Sequence, residues 1–453
     1  MSIAAARTTL DALAAFIVDA APPVEARTRA INAFLDTVGV TLAGASEPAA
    51  RAVQRTVAAN GGSACTVLGT SIRTSVSDAA LANGTAAHAL DYDDMCFVSL
   101  AHPSAPLVSA LLAAAESTGA SGSALADAYV IGFEIEARLG RTMNPRHYQR
   151  GWHCTSTIGA IGSAAAVSRV LGLDASSTAH AMAIAASEAS GLKENFGTMV
   201  KPLHAGLAAR DAVLAAILAR NGLTASSRAL DGPQGYLHAM DSERETLDGE
   251  LLDLGTRWEI LATGVTVKLY PSCAATHPPL DALLDLRRVH RFTAETVERL
   301  EIDVDPITPT VLIYDRPASG LEAKFSMPYC AAAAVADGRV GIDTFTAERL
   351  ADPRIAALVP RVTMQVDRAL GAHRPALTQA RVRVFLRDGK VVAAAADGAR
   401  GYPANPASDA ELDDKFLSCA ARTINDVRAS RALALLRAFD ELRDVRELMM
   451  IVA

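Results

Sequence analysis

TSTIGAIGSAAAVSRVLGL, residues 155–173, and HAMAIAASEASGL, residues 180–192, are so rich in Ala and Gly that a helix built from either is apolar almost all round. Helices of that kind belong at the centre of a bundle, because they have no polar face to turn toward water. Small side chains also let helix axes approach closely. Any polar group in or beside such helices then needs a partner or a task.

Working outward, residues 8 to about 265 read as helix after helix, separated by short Gly, Ser and Pro signals. In residues 22–42, Pro22 and Pro23 precede Ile31, Phe34, Leu35 and Val38, which fall at i, i+3, i+4 and i+7. Those four predict one buried face. After residue 265 the period drops to two: Leu300, Ile302 and Val304 alternate with charged residues, Val362, Met364 and Val366 alternate with polar ones, and Val382, Val384 and Leu386 follow at the same spacing. The last run meets Asp388-Gly389 and a second apolar run over residues 391–396, which predicts a hairpin. Residues 278–289 and 325–336 read as helices between these strands. From about residue 408 the helical pattern returns, with Leu435, Phe439, Leu442 and Val445 on one stripe. The expectation is a mainly α protein: a large all-helical domain from residues 1–265 and 400–453, and a smaller α+β domain from residues 266–399.

A chain of 453 residues exceeds the size at which one hydrophobic core stops growing, which also favours two packed units. Half of the residues are hydrophobic but only 5% are aromatic, so Ala, Leu, Val and Ile must build the core. A net charge of −7 leaves no basic excess to displace counterions from nucleic acid or an anionic membrane. An anionic substrate would therefore need a local basic pocket. Six cysteines without a C-x-x-C pair fit a reducing compartment. The first twenty residues, MSIAAARTTLDALAAFIVDA, lack a basic stretch followed by an uninterrupted apolar one, and no charge-free apolar run of spanning length follows. A cytoplasmic location is expected.

Five constellations are able to carry chemistry. The first is His88-Ala-Leu-Asp91-Tyr-Asp93-Asp94, followed by Ala-His102-Pro-Ser. Carboxylates this close repel unless hydrogen bonds or cations place them, and the bland alternative is a solvated helix end. His88, Asp91, Asp93, Asp94 and His102 are all competent metal ligands. Their spacing matches no established metal loop, so no metal is expected. The second, Gly151-Trp-His153-Cys154-Thr-Ser-Thr, sets His153 just before a helix start, where free N–H groups favour the neutral imidazole as a base. A hydrogen-bonded structural histidine is the alternative.

In the third, Lys201-Pro-Leu-His204 places two cationic side chains in an Ala-rich region, costly unless they meet an anion or Lys201 snorkels to water. The fourth, Lys268-Leu-Tyr-Pro-Ser-Cys273-Ala-Ala-Thr-His, falls at the expected domain junction, where small-ligand clefts form. Cys273 reads equally as an inert buried thiol. In the fifth, Lys324-Phe-Ser-Met-Pro-Tyr329, the phenol of Tyr329 is an acid, an orienting donor or a plain core hydroxyl. Lys415, on an acidic helix, reads as a surface lysine.

HALDYDD with HPS, GWHCTSTIGAIG, VKPLHAG, KLYPSCAATH and FSMPY occur in the order and approximate spacing of the MmgE/PrpD family, which the chain resembles from about residue 8 to 450. The family includes 2-methylcitrate dehydratase, cis-aconitate decarboxylase and iminodisuccinate epimerase. The resemblance implies a cofactor-independent enzyme, commonly a homodimer, that moves a proton next to a carboxylate of a small polycarboxylic acid. It places Asp91, His102, His153 and Tyr329 in catalysis, with Lys201, Lys268, His204 and Cys273 on the substrate. Cys273 stands where the dehydratase and decarboxylase branches carry a further histidine. A hydro-lyase is the leading expectation, with epimerase or decarboxylase as alternatives and a non-enzymatic binding protein last.

Overall fold

The computed structural model describes residues 8–371 and 378–453. Residues 1–7, part of the N-terminal stretch read for a leader, and residues 372–377, inside the expected α+β span, lie outside the described residues.

As the periodicities predict, the architecture is mainly helical, and the longer strands form one small sheet that is mixed. The Val24–Gly44 helix begins after Pro23 and buries Phe34, Leu35 and Val38 completely, while Ile31 is half-buried. Side-chain caps fix several other starts: Thr8 for Thr9–Asp19, Ser75 for Val76–His88, Ser121 for Gly122–Met143 and Asp174 for Ala175–Glu188. Ala- and Gly-rich Cys154–Val170 lies at the centre, packed on Gly122–Met143, Ala175–Glu188 and Val200–Arg220. By length and composition Val200–Arg220 is apolar enough to cross a membrane, yet most of it is buried against these helices.

Glycine sets the approach that matters most for the site. Val76–His88 and Val200–Arg220 touch backbone to backbone, since a Cβ on Gly84 would sit 2.9 Å from Gly206 Cα, and one on Gly206 would overlap Leu81 O and Thr85 Oγ1. Pairing Gly84 with Gly206 in an antiparallel crossing brings the end of the first helix, His88, to the start of the second, Lys201. Alanine at Gly206 would force the helices apart and separate those two side chains.

Two short strands, β1 (Cys65–Thr66) and β2 (Arg73–Thr74), form a small hairpin among the helices. The main sheet holds β3 (Val297–Val304), β4 (Val362–Val366), β5 (Ala380–Leu386) and β6 (Val391–Ala396) in the order β4-β3-β5-β6. β3 and β4 run parallel and the other neighbours antiparallel. The predicted β5–β6 hairpin forms, with Gly389 at φ +88° in its turn. Leu300, Ile302, Val304, Val382 and Val384 face a core shared with the His277–His290 and Met327–Asp337 helices. Val366, expected on that face, is exposed because β4 is an edge strand.

The C-terminal segment departs from a single stripe. Asp426–Arg437 ends before Phe439, which lies in a 3₁₀ turn, and a new helix runs over Arg446–Val452. Phe439, Leu442 and Val445 are still buried, but backbone bonds from Gly122 N to Leu442 O and from Val445 N to Ala120 O hold this stretch against the 119–122 turn. Those bonds replace helix continuation. Asp409–Ala420 and Asp426–Arg437 pack on Val24–Gly44. Lys415 is buried, not a surface lysine: its Nζ lies 2.5 Å from Asp36 Oδ1 and donates to Tyr92 O at 2.8 Å.

Candidate active site

Where the Val76–His88 helix stops, the chain turns through residues 89–94 and places three carboxylates inside the protein. Asp91 adopts a left-handed conformation, φ +51°, which short polar residues tolerate better than most. Met95 and Thr266 exchange backbone hydrogen bonds at 2.9 and 2.8 Å, drawing Lys268 beneath this turn. Asp94 accepts from Ser104 N at 3.2 Å and bonds Ser104 Oγ, locking the turn to the segment that carries His102.

The result is a buried ionic cluster. Asp91 Oδ1 accepts from Lys201 Nζ at 2.5 Å, and Asp91 Oδ2 from Lys268 Nζ at 3.0 Å; Lys268 also donates to Asp91 O at 2.9 Å. His88 donates through Nδ1 to Asp93, 2.8 Å from Oδ2, so its Nε2 is free to accept from Lys201 Nζ at 2.8 Å. His102 faces the same carboxylates more loosely, with Nδ1 3.4 Å from Asp93 Oδ2 and Nε2 3.9 Å from Asp91 Oδ1. His153 stands at the N-cap position of Cys154–Val170 without a side-chain capping bond, and its Nδ1 lies 3.1 Å from His204 Nδ1. The His88 ring sits edge-on to His102 at 4.5 Å and stacks near His153 at 5.8 Å.

Charge follows from burial and neighbours. Burial alone would raise the Asp91 carboxyl, but the ammonium groups of Lys201 and Lys268 hold it well below the usual carboxylate range. Burial pushes His88 down to about 4, with Lys201 adding to the effect. Burial likewise lowers His102, and lowers His153 strongly with Lys201 again contributing. Two ammonium groups therefore face the Asp91 carboxylate, Asp93 lies between His88 and His102, and the surrounding imidazoles stay neutral. Behind them burial raises Asp94 to about 8, so that side chain is protonated at neutral pH.

A cavity of about 330 Å³ opens onto this cluster. Asp91, His102, His153, Lys201 and Cys273 line it, as do Tyr148, Phe196 and Phe325, while Arg368 stands exposed on its wall. Five of the eight sequence-predicted site residues therefore meet at one surface. Lys268 is fully buried beneath, reaching the cavity only through Asp91. His204 lies behind His153, as a positioning partner and not on the cavity wall; burial lowers it to about 4. Tyr329 requires correction. Its hydroxyl donates to Thr344 O at 2.6 Å and its ring packs near Phe345, away from the cavity, so the core-hydroxyl reading holds. Cys273 sits on the wall with its thiol pushed up to about 11 by burial, a neutral lining group and not a nucleophile.

Four contributors carried no assigned role in the sequence. His88 was visible only as a possible metal ligand. Lys324, within a quoted motif, donates to Leu90 O at 2.6 Å and Pro271 O at 2.8 Å, tying the Asp91 turn to the Cys273 loop. Phe196 and Phe325 each place a ring centroid 5.3 Å from Lys201 Nζ. His88, Asp91, Asp93 and His102 bring ligand atoms within 4.8 Å of one another, as a metal centre would. Both oxygens of Asp91 and both nitrogens of His88 are already engaged, and two ammonium groups supply the positive charge there. A divalent ion would have to displace them or repel them.

Residues 11–246 match the MmgE/PrpD N-terminal domain and residues 270–441 the MmgE/PrpD C-terminal domain. Cis-aconitate decarboxylase of Mus musculus is 28% identical over 390 residues, covering 81% of this chain and 76% of that protein. A cis-aconitate decarboxylase-like protein of Aspergillus oryzae is 27% identical over 459 residues, covering 95% and 94%. Cis-aconitate decarboxylase of Aspergillus terreus is 24% identical over 455 residues, covering 94% and 91%. With both domain models matched in order across the chain, the protein belongs to the MmgE/PrpD family.

Proposed function

We propose that this chain is a lyase that moves a proton at a carbon beside a carboxylate of a small organic acid, without metal or organic cofactor. One observation carries the reading: Lys201, paired with Asp91, lines the same cavity as the neutral imidazoles of His102 and His153. Lys201 binds the substrate carboxylate and offsets the enolate-like charge that develops when a carbon acid ionises. Lys268 and Lys324 fix the turn and loop that present Asp91 and Cys273. His102 is the loosest ring of the cluster, and Asp93 at 3.4 Å orients it and stabilises its protonated form.

Decarboxylation is the favoured outcome, ahead of the hydro-lyase expected from the sequence. Relatives named cis-aconitate decarboxylase support it. The test is proton NMR in deuterated water with cis-aconitate, citrate, 2-methylcitrate and iminodisuccinate. Loss of a carboxylate with deuterium entering the product is expected. Loss of hydroxyl from a citrate, or α-deuteration without net conversion, would replace decarboxylation by dehydration or epimerisation. No exchange or conversion with any acid of the cavity's size would overturn the reading.

A further inference from the structure

A lysine ammonium carries three N–H donors, and the described residues around Lys201 take two of them. Asp91 Oδ1 accepts one at 2.5 Å and His88 Nε2 another at 2.8 Å. Phe196 and Phe325, with ring centroids 5.3 Å away, offer faces but no lone pair. Lys201 lines the cavity, so its third N–H is the one left for a ligand. An ammonium anchored at a single acceptor swivels about that contact, whereas a second anchor fixes where the remaining N–H points. His88 is the second anchor. Asp93 takes the Nδ1 proton at 2.8 Å, and because a carboxylate only accepts, Nε2 of the neutral ring is left as an acceptor. The ring is fully buried between Asp93 and the edge of His102, 4.5 Å away between centroids, which holds it in place. A neutral acceptor also leaves the local charge intact. Lys201 and Lys268 share the carboxylate of Asp91 and so keep a net positive charge, which a carboxylate in place of the imidazole would cancel.

We infer that His88 is a positioning residue for substrate recognition: with Nδ1 held by Asp93, its Nε2 takes one N–H of Lys201 and so aims another at the substrate carboxylate. The inference rests on the proposed role of Lys201 as the carboxylate-binding cation, but the tautomer it requires is measurable without any substrate.

Two amides separate the two nitrogens of His88. The amide of Asn reaches about as far as Nδ1 and that of Gln about as far as Nε2, so His88→Asn keeps a partner for Asp93 and deprives Lys201 of its acceptor, whereas His88→Gln restores that acceptor. For the acid that the wild type converts, His88→Asn should raise KM roughly ten- to a hundredfold, the range for one hydrogen bond to a charged group, with a smaller fall in kcat. His88→Gln should recover most of that loss. Equal KM in the two variants overturns the inference, and so does a fall in kcat with KM unchanged, the mark of a general loosening around Asp93 and His102. If His88→Asn does not fold, the ¹⁵N imidazole spectrum of the full wild-type chain decides: the His88 proton should sit on Nδ1, and Lys201→Met should move the Nε2 resonance. A proton on Nε2 overturns the inference. Failure of the wild type to convert any of the acids tested sinks the proton-moving reading alone, and the tautomer then judges His88.

Discussion

Replacing Asp91 by Asn removes one charge and almost no volume, and it keeps a side chain suited to the left-handed backbone at φ +51°. The lost carboxylate is the common partner of Lys201 at 2.5 Å and Lys268 at 3.0 Å, in a region where the lysine side chains are 5% and 0% exposed. Removing one partner of a buried ion pair typically costs ~3–5 kcal/mol, because the remaining charge is left uncompensated. Each ammonium retains one neutral acceptor, His88 Nε2 for Lys201 and Asp91 O for Lys268, which places the expected loss near the lower bound, about 3 kcal/mol. The urea-denaturation free energy of Asp91→Asn reads this directly. The double variant Asp91→Asn/Lys268→Met removes one of the two orphaned charges and should recover a substantial part of the loss, a coupling expected of residues in direct contact. A single variant within ~0.5 kcal/mol of wild type, the range of ordinary surface substitutions, would refute the claim that Asp91 balances both lysines.

His102→Ala and His153→Ala should each fold and lose ~10²–10⁴-fold in rate, as removal of a general acid or base does; near-wild-type turnover in both would cancel the proton-transfer assignment. Tyr329→Phe should keep turnover while losing ~0.5–1.5 kcal/mol of stability from the missing bond to Thr344 O; a tenfold fall in the rate of the folded variant would return Tyr329 to the chemistry. His88 and His204 titrate near 4 when folded, against an ordinary 6.5, so the unfolded chain binds more protons between those values. Their contribution to stability is present above pH 6.5 and lost as pH falls toward 4. A thermal midpoint that rises on acidification through that window in wild type, relative to His88→Gln/His204→Gln, would contradict the burial argument. Activity should survive exhaustive dialysis against chelator, and a loss restored by one divalent metal would show that an ion belongs among His88, Asp91, Asp93 and His102.

Periodicity made most of the fold legible. Ala- and Gly-rich helices have no polar face to expose, so their central position followed from composition; alternation in β3 and β5 followed from a sheet with one face on a core. What misled was spacing without context. Leu435, Phe439, Leu442 and Val445 fit a helical stripe, yet backbone bonds to the 119–122 turn broke it, and such bonds leave no trace in hydropathy. Lys415 looked solvated because its own helix is acidic, whereas its partners, Asp36 and Tyr92 O, come from distant parts of the chain.

At the site, residue type was more legible than role. Carboxylates, lysines and histidines in an otherwise apolar chain announce themselves because burial is too costly without partners. Which of them touches the substrate depends on a few tenths of a nanometre that only packing sets. Lys201 and Lys268 were equal in sequence, but Lys201 lines the cavity and Lys268 supports Asp91 from beneath. The pairing of Lys201 with His88 spans 113 positions and exists because Gly84 meets Gly206 without side chains between them. Two glycines that carry no chemistry therefore decide whether the ammonium sits against the imidazole. Their effect reaches the reaction through distance, since a helix separation of even one ångström would turn the 2.8 Å contact of Lys201 with His88 into no hydrogen bond at all.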